Sequence, residues 1–143
     1  MMTLTDAQRQ MLQTKGVVLG RALMGLLFVV SGIGIGTNPA GTLPLLVGMG
    51  LPAAGLLLWI IVIFKIVAGG LLIIGKRVGL AAAGLIIFTF LTIVLVHNDL
   101  SNQNDFIASL KNLAVIGGLL YVMAFGAGSW NAKAAASAPV QSM

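Results

Sequence analysis

The chain has 143 residues, 59% apolar and 8% charged, where ordinary soluble domains are roughly a quarter charged; composition places it in a bilayer. It has no cysteine, which rules out disulfide exchange, thiolate nucleophiles and sulfur-ligated metals, and with them a four-helix thiol-quinone oxidoreductase of the disulfide-forming type; one histidine rules out a bis-histidine haem within the chain. The net charge of +5 comes from dispersed basic residues, with no basic run or aromatic reading motif, so nucleic acid is excluded as a partner.

The opening MMTLTDAQRQMLQTK reads as a short amphipathic helix capped by Thr5, with Gln8 three residues on. It forms an N-terminal interfacial segment over 1–15. A basic start followed by an apolar run also describes a signal peptide, but the run is long and its end, GIGIGTNPAG, is a poor cleavage site.

Four apolar segments follow, at about 16–36, 51–75, 78–96 and 106–126. A hydrocarbon core of about 30 Å needs roughly 20 helical residues, and backbone polar groups in lipid must be satisfied within the segment. The spacing therefore predicts an all-α, integral membrane four-helix bundle over 16–128. In the first span Arg21, Gly25, Phe28, Gly32 and Gly36 recur at intervals of three and four, a small-residue face for close helix packing. The glycines of GIGIG end an apolar helix and have no strand before them, so they are not a nucleotide loop.

Between the first two spans, TNPAGTLPLLVGMGLP breaks the helical pattern, and Pro52 suits the first turn of the second span. Its apolar middle, LPLLVGMG, is too short to cross and is expected to lie in the interface or fold back. The second span carries Lys65 near its centre. An ammonium there costs roughly 2.5–3.5 kcal/mol on insertion scales, yet the chain has no glutamate, and Asp6, Asp99 and Asp105 all lie outside the apolar segments. Three solutions remain: a neutral lysine, a charged one solvated by carbonyls and hydroxyls such as Ser31, Thr89 or Thr92, or an anion from outside the chain. Ala68 and Gly69, on the same face, leave room for a neighbouring helix or a ligand.

Lys76 and Arg77 occupy the turn before the third span; Arg9, Lys15 and Arg21 precede or open the first, and Lys133 follows the fourth. The loops at 37–50 and 97–110 have no basic residue. Both termini are thus expected in the cytoplasm, with Trp130 as an interfacial anchor and 129–143 as a low-complexity, disordered tail. Arg21 lies within reach of lipid phosphate by snorkelling, or else it joins Lys65 in a basic pocket for an anionic headgroup or a partner's carboxylate.

At the opposite end, VHNDL and SLKNLAVIGG bring His97, Asp99, Lys111 and Asn112 near one another in sequence. A titrating imidazole beside an ammonium and an amide could hydrogen-bond a quinone carbonyl and relay its proton. The simpler reading pairs Asp99 or Asp105 with Lys111 and caps the helix.

The segments GRALMGLLFVVSGIG, GLP, KIVAGGLLIIGKRVGLAAAGL, VLVHND and SLKNLAVIGGLLYVMAFGAGS, in that order, resemble the DoxX family of small prokaryotic membrane proteins. The resemblance implies a four-helix bundle in the plasma (inner) membrane, associated with quinone-linked redox complexes. Arg21, His97, Lys111 and Asn112 match family positions. The family commonly has an acidic residue in the second span where this chain has Lys65, which counts against a carboxylate-based mechanism.

Two functions follow. One is a quinone- or lipid-contacting subunit of a membrane oxidoreductase, with Arg21, Lys65, His97, Lys111 and Asn112 as candidate binding residues and a redox partner supplying the electron-transfer groups. The other is a non-catalytic structural or assembly subunit of a larger membrane complex, favoured by the lack of a self-sufficient catalytic constellation. A small multidrug antiporter would need an intramembrane carboxylate and ranks far behind.

Overall fold

Thr5 opens the first helix. Its hydroxyl accepts from the Gln8 amide at 3.3 Å while the Gln8 side chain accepts from the Thr5 N–H at 2.9 Å, a complete capping box in front of α1 (Asp6–Met11). In the computed structural model, which describes residues 3–128, α1 does not stop at the first span. A π-helical turn, Leu12–Gly16, carries it into α2 (Val17–Thr37), making one apolar helix of 32 residues. The wider turn displaces carbonyls from the regular ladder. Buried Thr14 donates to two of them, Gln10 O at 2.8 Å and Met11 O at 3.1 Å.

After α2 the chain makes a 3₁₀ turn at Pro39–Gly41 and a short helix, α3 (Leu43–Gly48). This is the apolar segment expected to be too short to cross. It seats Leu46 against Leu58 and Val62 of the next helix. The remaining helices are α4 (Ala54–Ile74), α5 (Val78–Leu95) and α6 (Gln103–Phe125). With the first helix, all three are long and apolar enough to cross a membrane.

Packing around the ring runs α2, α4, α5, α6, each antiparallel to its neighbours, with α2 most extensively on α4 and α5 on α6. The glycine face of α2 sets the first of these contacts. Arg21, Gly25, Phe28 and Gly32 are its buried residues, and Gly25 and Gly69 meet backbone to backbone. A Cβ on Gly69 would lie 2.7 Å from Gly25 O and 3.1 Å from the Phe28 Cβ. Ala68 and Gly69 thus make room for a neighbouring helix. Without a hydrophobic drive between helices in lipid, such close approach is what holds a membrane bundle together.

Two apolar clusters form, one around Phe28, Ala68, Leu72, Leu85 and Leu119 and a smaller one of Leu46, Leu58 and Val62 under α3. Lys65 falls between them, since Val62 and Ala68 flank it one turn either way on α4. Gly128 backs onto Val17 and Val18, so the described chain begins and ends at the same end of the bundle, where Lys15, Lys76 and Arg77 also lie. Trp130, Lys133 and the 129–143 tail fall outside the described residues.

Candidate functional site

Arg21 is 6% exposed on the α2–α4 interface. Its Nη1 donates to Leu72 O and, at 3.1 Å, to Ile73 O. These belong to the last turn of α4, whose carbonyls have no intrahelical partner. The helix ends in a left-handed Gly75 (φ 79°), with the N–H groups of Gly75 and Lys76 both donating to Leu71 O. A Cβ at Gly75 would lie 2.7 Å from the Arg21 Nη1, so glycine serves both the turn and the guanidinium. The charge sits where the helix dipole is negative. Arg21 is in this way a tertiary cap for α4.

Lys65 lies 11 residues into α4 and 9 from its end, about 16 and 13 Å from the two ends of the helix, and is 8% exposed. Its ammonium donates to Ser31 Oγ of α2 at 2.6 Å and lies 5.5 Å from the centroid of the Phe88 ring, within cation–π range. An ammonium has three N–H donors. Two are left without an acceptor among the described residues. Arg21 engages α4 two turns away, at Leu72 and Ile73, so the two cations do not share a pocket.

A cavity of about 140 Å³ adjoins the Lys65 ammonium, lined by Ser31, Phe88, Thr89, Thr92, Asn112 and a few apolar side chains. Thr89 Oγ1 donates to Leu85 O at 2.7 Å and Thr92 Oγ1 to Phe88 O at 2.9 Å. With their hydrogens spent on backbone carbonyls, both threonines can only accept from the cavity. Ser31 accepts from Lys65, which frees its own hydrogen to donate. The Asn112 amide, half-buried on α6, has no hydrogen-bond partner among the described residues and offers both a donor and an acceptor. The walls therefore present a cation, two neutral donors and three acceptors, without a carboxylate. The cavity shares Leu27 and Ser31 with a shallow apolar groove of about 430 Å³ on the outer face of α2, over Leu23, Leu26 and Val30.

The other expected cluster is divided. His97 Nδ1 is 3.4 Å from Asp105 Oδ1, both groups about a quarter exposed, and the His97 carbonyl accepts from Ser109 Oγ at 2.9 Å. These contacts join the end of α5 to the start of α6. Asp99 is held in an Asx turn by the Ser101 N–H at 3.1 Å and the Ser101 hydroxyl at 2.5 Å, and those hydrogen bonds, the hydroxyl's above all, hold its carboxyl below the usual carboxylate range. Asn102 caps α6 by accepting from the Asn104 N–H. Lys111 is exposed and pairs with neither aspartate among the described residues. Asn112, one residue on, turns inward.

Comparison with known proteins agrees with this architecture. The DoxX family model matches residues 16–98, from Gly16 within the first helix through Asn98 just after α5. The inner membrane protein YqjF of Escherichia coli (strain K12) is 31% identical over 123 residues, covering 84% of this chain and 91% of that protein. No solved structure matches the chain.

Proposed function

This small multi-pass membrane protein belongs to the DoxX family, and we propose that within it the chain serves as a subunit of a membrane redox complex that holds the polar head of a quinone or similar lipid beside Lys65. The observation that carries the reading is the adjacency of the two recesses: a cavity of about 140 Å³ beside Lys65, at the bundle's mid-depth, shares the lining residues Leu27 and Ser31 with an apolar groove on the outer face of α2. A cavity of roughly 150 Å³ admits a single aromatic ring. An amphiphile with a one-ring head and a long apolar tail suits that shape better than a water-soluble substrate.

The residues divide the work by their donor capacity. Lys65 and Ser31 would donate to a ring oxygen, and Asn112 would orient the ring from α6 through its amide. Thr89 and Thr92 would accept from a ring hydroxyl, while Phe88 supplies an apolar face. Bound quinone would bring two-electron and two-proton chemistry, with electrons passing to or from a partner subunit. No described residue beside Lys65 is an obvious proton acceptor, so this chain binds and positions. His97, Asp105 and Lys111 do not line the cavity; the His97–Asp105 pair joins the end of α5 to the start of α6, and Lys111 is exposed at the surface.

In this reading the end carrying Lys15, Lys76 and Arg77 faces the cytoplasm, as the positive-inside bias requires. The test is purification of the tagged protein from its native membrane in mild detergent, with mass spectrometry of copurifying proteins and extracted quinones. The expected result is quinone together with a redox partner, and loss of quinone in Lys65→Met. A stoichiometric complex whose quinone content is indifferent to Lys65, but whose assembly fails in Lys65→Met, would favour a non-catalytic assembly subunit in which a partner's carboxylate meets the ammonium. A lone bundle without ligand would contradict both.

A further inference from the structure

The seam between α2 and α6 that flanks the Lys65 cavity at mid-depth is also incompletely filled at the basic end. There Leu12, Gly16 and Gly20 face Gly118, Tyr121 and Phe125 across a groove of about 550 Å³ that reaches Met24. From residue 12 to residue 24 is about 18 Å along a helix, long enough for most of an extended acyl chain. The rings of Tyr121 and Phe125 stack at 6.3 Å and 4°, giving one wall a smooth apolar surface. Gly20 contributes open space, since a Cβ there would meet nothing within 4 Å.

The mouth of this groove is cationic. Arg9 is three residues before Leu12, one helical turn below the groove's end, and is exposed. Lys76 and Arg77 occupy the neighbouring turn, and Asp6 is the one acidic residue at that end among the described residues. Arg21 is a further positive charge in the groove wall; its Nε is a buried donor with no partner among the described residues.

We propose that this groove is a site for one anionic phospholipid, with an acyl chain lying between α2 and α6 and the phosphate at the mouth beside Arg9. Charge selects this occupant. A second copy of the chain docked on the same face would bring its own basic end against this one, like charge against like. An anionic headgroup instead meets fixed cations, each of which strengthens binding at a membrane surface roughly fivefold. The site is separate from the quinone reading, because Gly20 and Ser31 are 11 residues, about 16 Å, apart along α2.

The test is native mass spectrometry of the full chain released from nanodiscs containing phosphatidylglycerol and phosphatidylcholine of identical acyl chains. Wild type is expected to retain one phosphatidylglycerol, on the order of tenfold over phosphatidylcholine. Gly20→Leu, whose Cβ meets nothing within 4 Å and whose side chain extends into the groove, should abolish retention while leaving the melting profile intact. Arg9→Gln should bring the two lipids closer to parity. Lys65→Met should leave lipid retention unchanged, so failure here is distinguishable from failure of the quinone site. Equal retention of the two lipids by wild type, or undiminished phosphatidylglycerol in Gly20→Leu, would overturn the proposal.

Discussion

Gly69 and Gly70 offer a matched pair for testing what holds the bundle together. Each is a helical glycine in the same turn of α4, so replacing either by alanine gains the same intrinsic helix preference, roughly 1 kcal/mol. They differ in what the new methyl meets. At Gly70 there is nothing within 4 Å, whereas at Gly69 a Cβ would stand 2.7 Å from Gly25 O, 3.0 Å from Val29 Cγ2 and 3.1 Å from Phe28 Cβ. The first of these neighbours is backbone and cannot rotate away, so α2 and α4 must separate by several tenths of an ångström. Overpacking of this kind costs about 1–3 kcal/mol, and the separation also pulls Arg21 away from the Leu72 and Ile73 carbonyls. Gly70→Ala is therefore expected to be neutral or stabilising, and Gly69→Ala to be less stable than Gly70→Ala by about 1–3 kcal/mol. Reversible unfolding by detergent titration in mixed micelles, followed by circular dichroism, measures both. Equal stabilities would refute glycine-mediated packing of α2 on α4.

Arg21→Met removes the guanidinium that caps α4 and should cost about 1.5–3 kcal/mol, the range for hydrogen bonds from a charged group. Arg21→Lys should recover only part of it, because an ammonium lacks the planar fork; the same unfolding assay reads both. Asn112→Leu should reduce quinone retention while Lys111→Leu leaves it unchanged, measured by extraction and chromatography of purified protein. For Asp99, depression of the carboxyl pKa by Ser101 means that ionised Asp99 stabilises the α5–α6 loop above the ordinary carboxylate range. That contribution is lost as pH falls through the depressed native value. Ser101→Ala should raise the Asp99 titration midpoint toward normal, as seen by NMR of the side-chain carboxyl carbon.

Much of the architecture was legible because lipid leaves few alternatives: four long apolar runs must be helices, and the recurrence of Arg21, Gly25, Phe28 and Gly32 marked the face that α2 buries. The continuity of the first helix was less visible. Residues 1–15 read as an interfacial segment ahead of a span starting at 16, whereas Thr14 turns its hydroxyl onto the backbone and the helix passes through a π turn. Ser31 was recognisable as a possible solvating group for Lys65, but among several hydroxyls only three-dimensional register could choose it. Asn112 was placed by proximity in sequence with Lys111 and His97. A helical face was available to correct this: Ser109, Asn112, Val115, Leu119 and Val122 fall at spacings of three and four, and of these Ser109, Leu119 and Val122 are buried. Read by that periodicity, Asn112 belongs with the core and Lys111 does not. The tertiary cap that Arg21 provides had no sequence signal, since it joins residues 51 and 52 positions apart.

A membrane-permeant photoaffinity quinone, cross-linked in native membranes and mapped by peptide mass spectrometry, tests the ligand site most directly. Adducts are expected on the peptides carrying Leu27, Ser31, Phe88 and Asn112, competed by excess quinone and reduced in Lys65→Met. Competable adducts confined to the 97–105 loop and Lys111 would contradict a head group held beside Lys65.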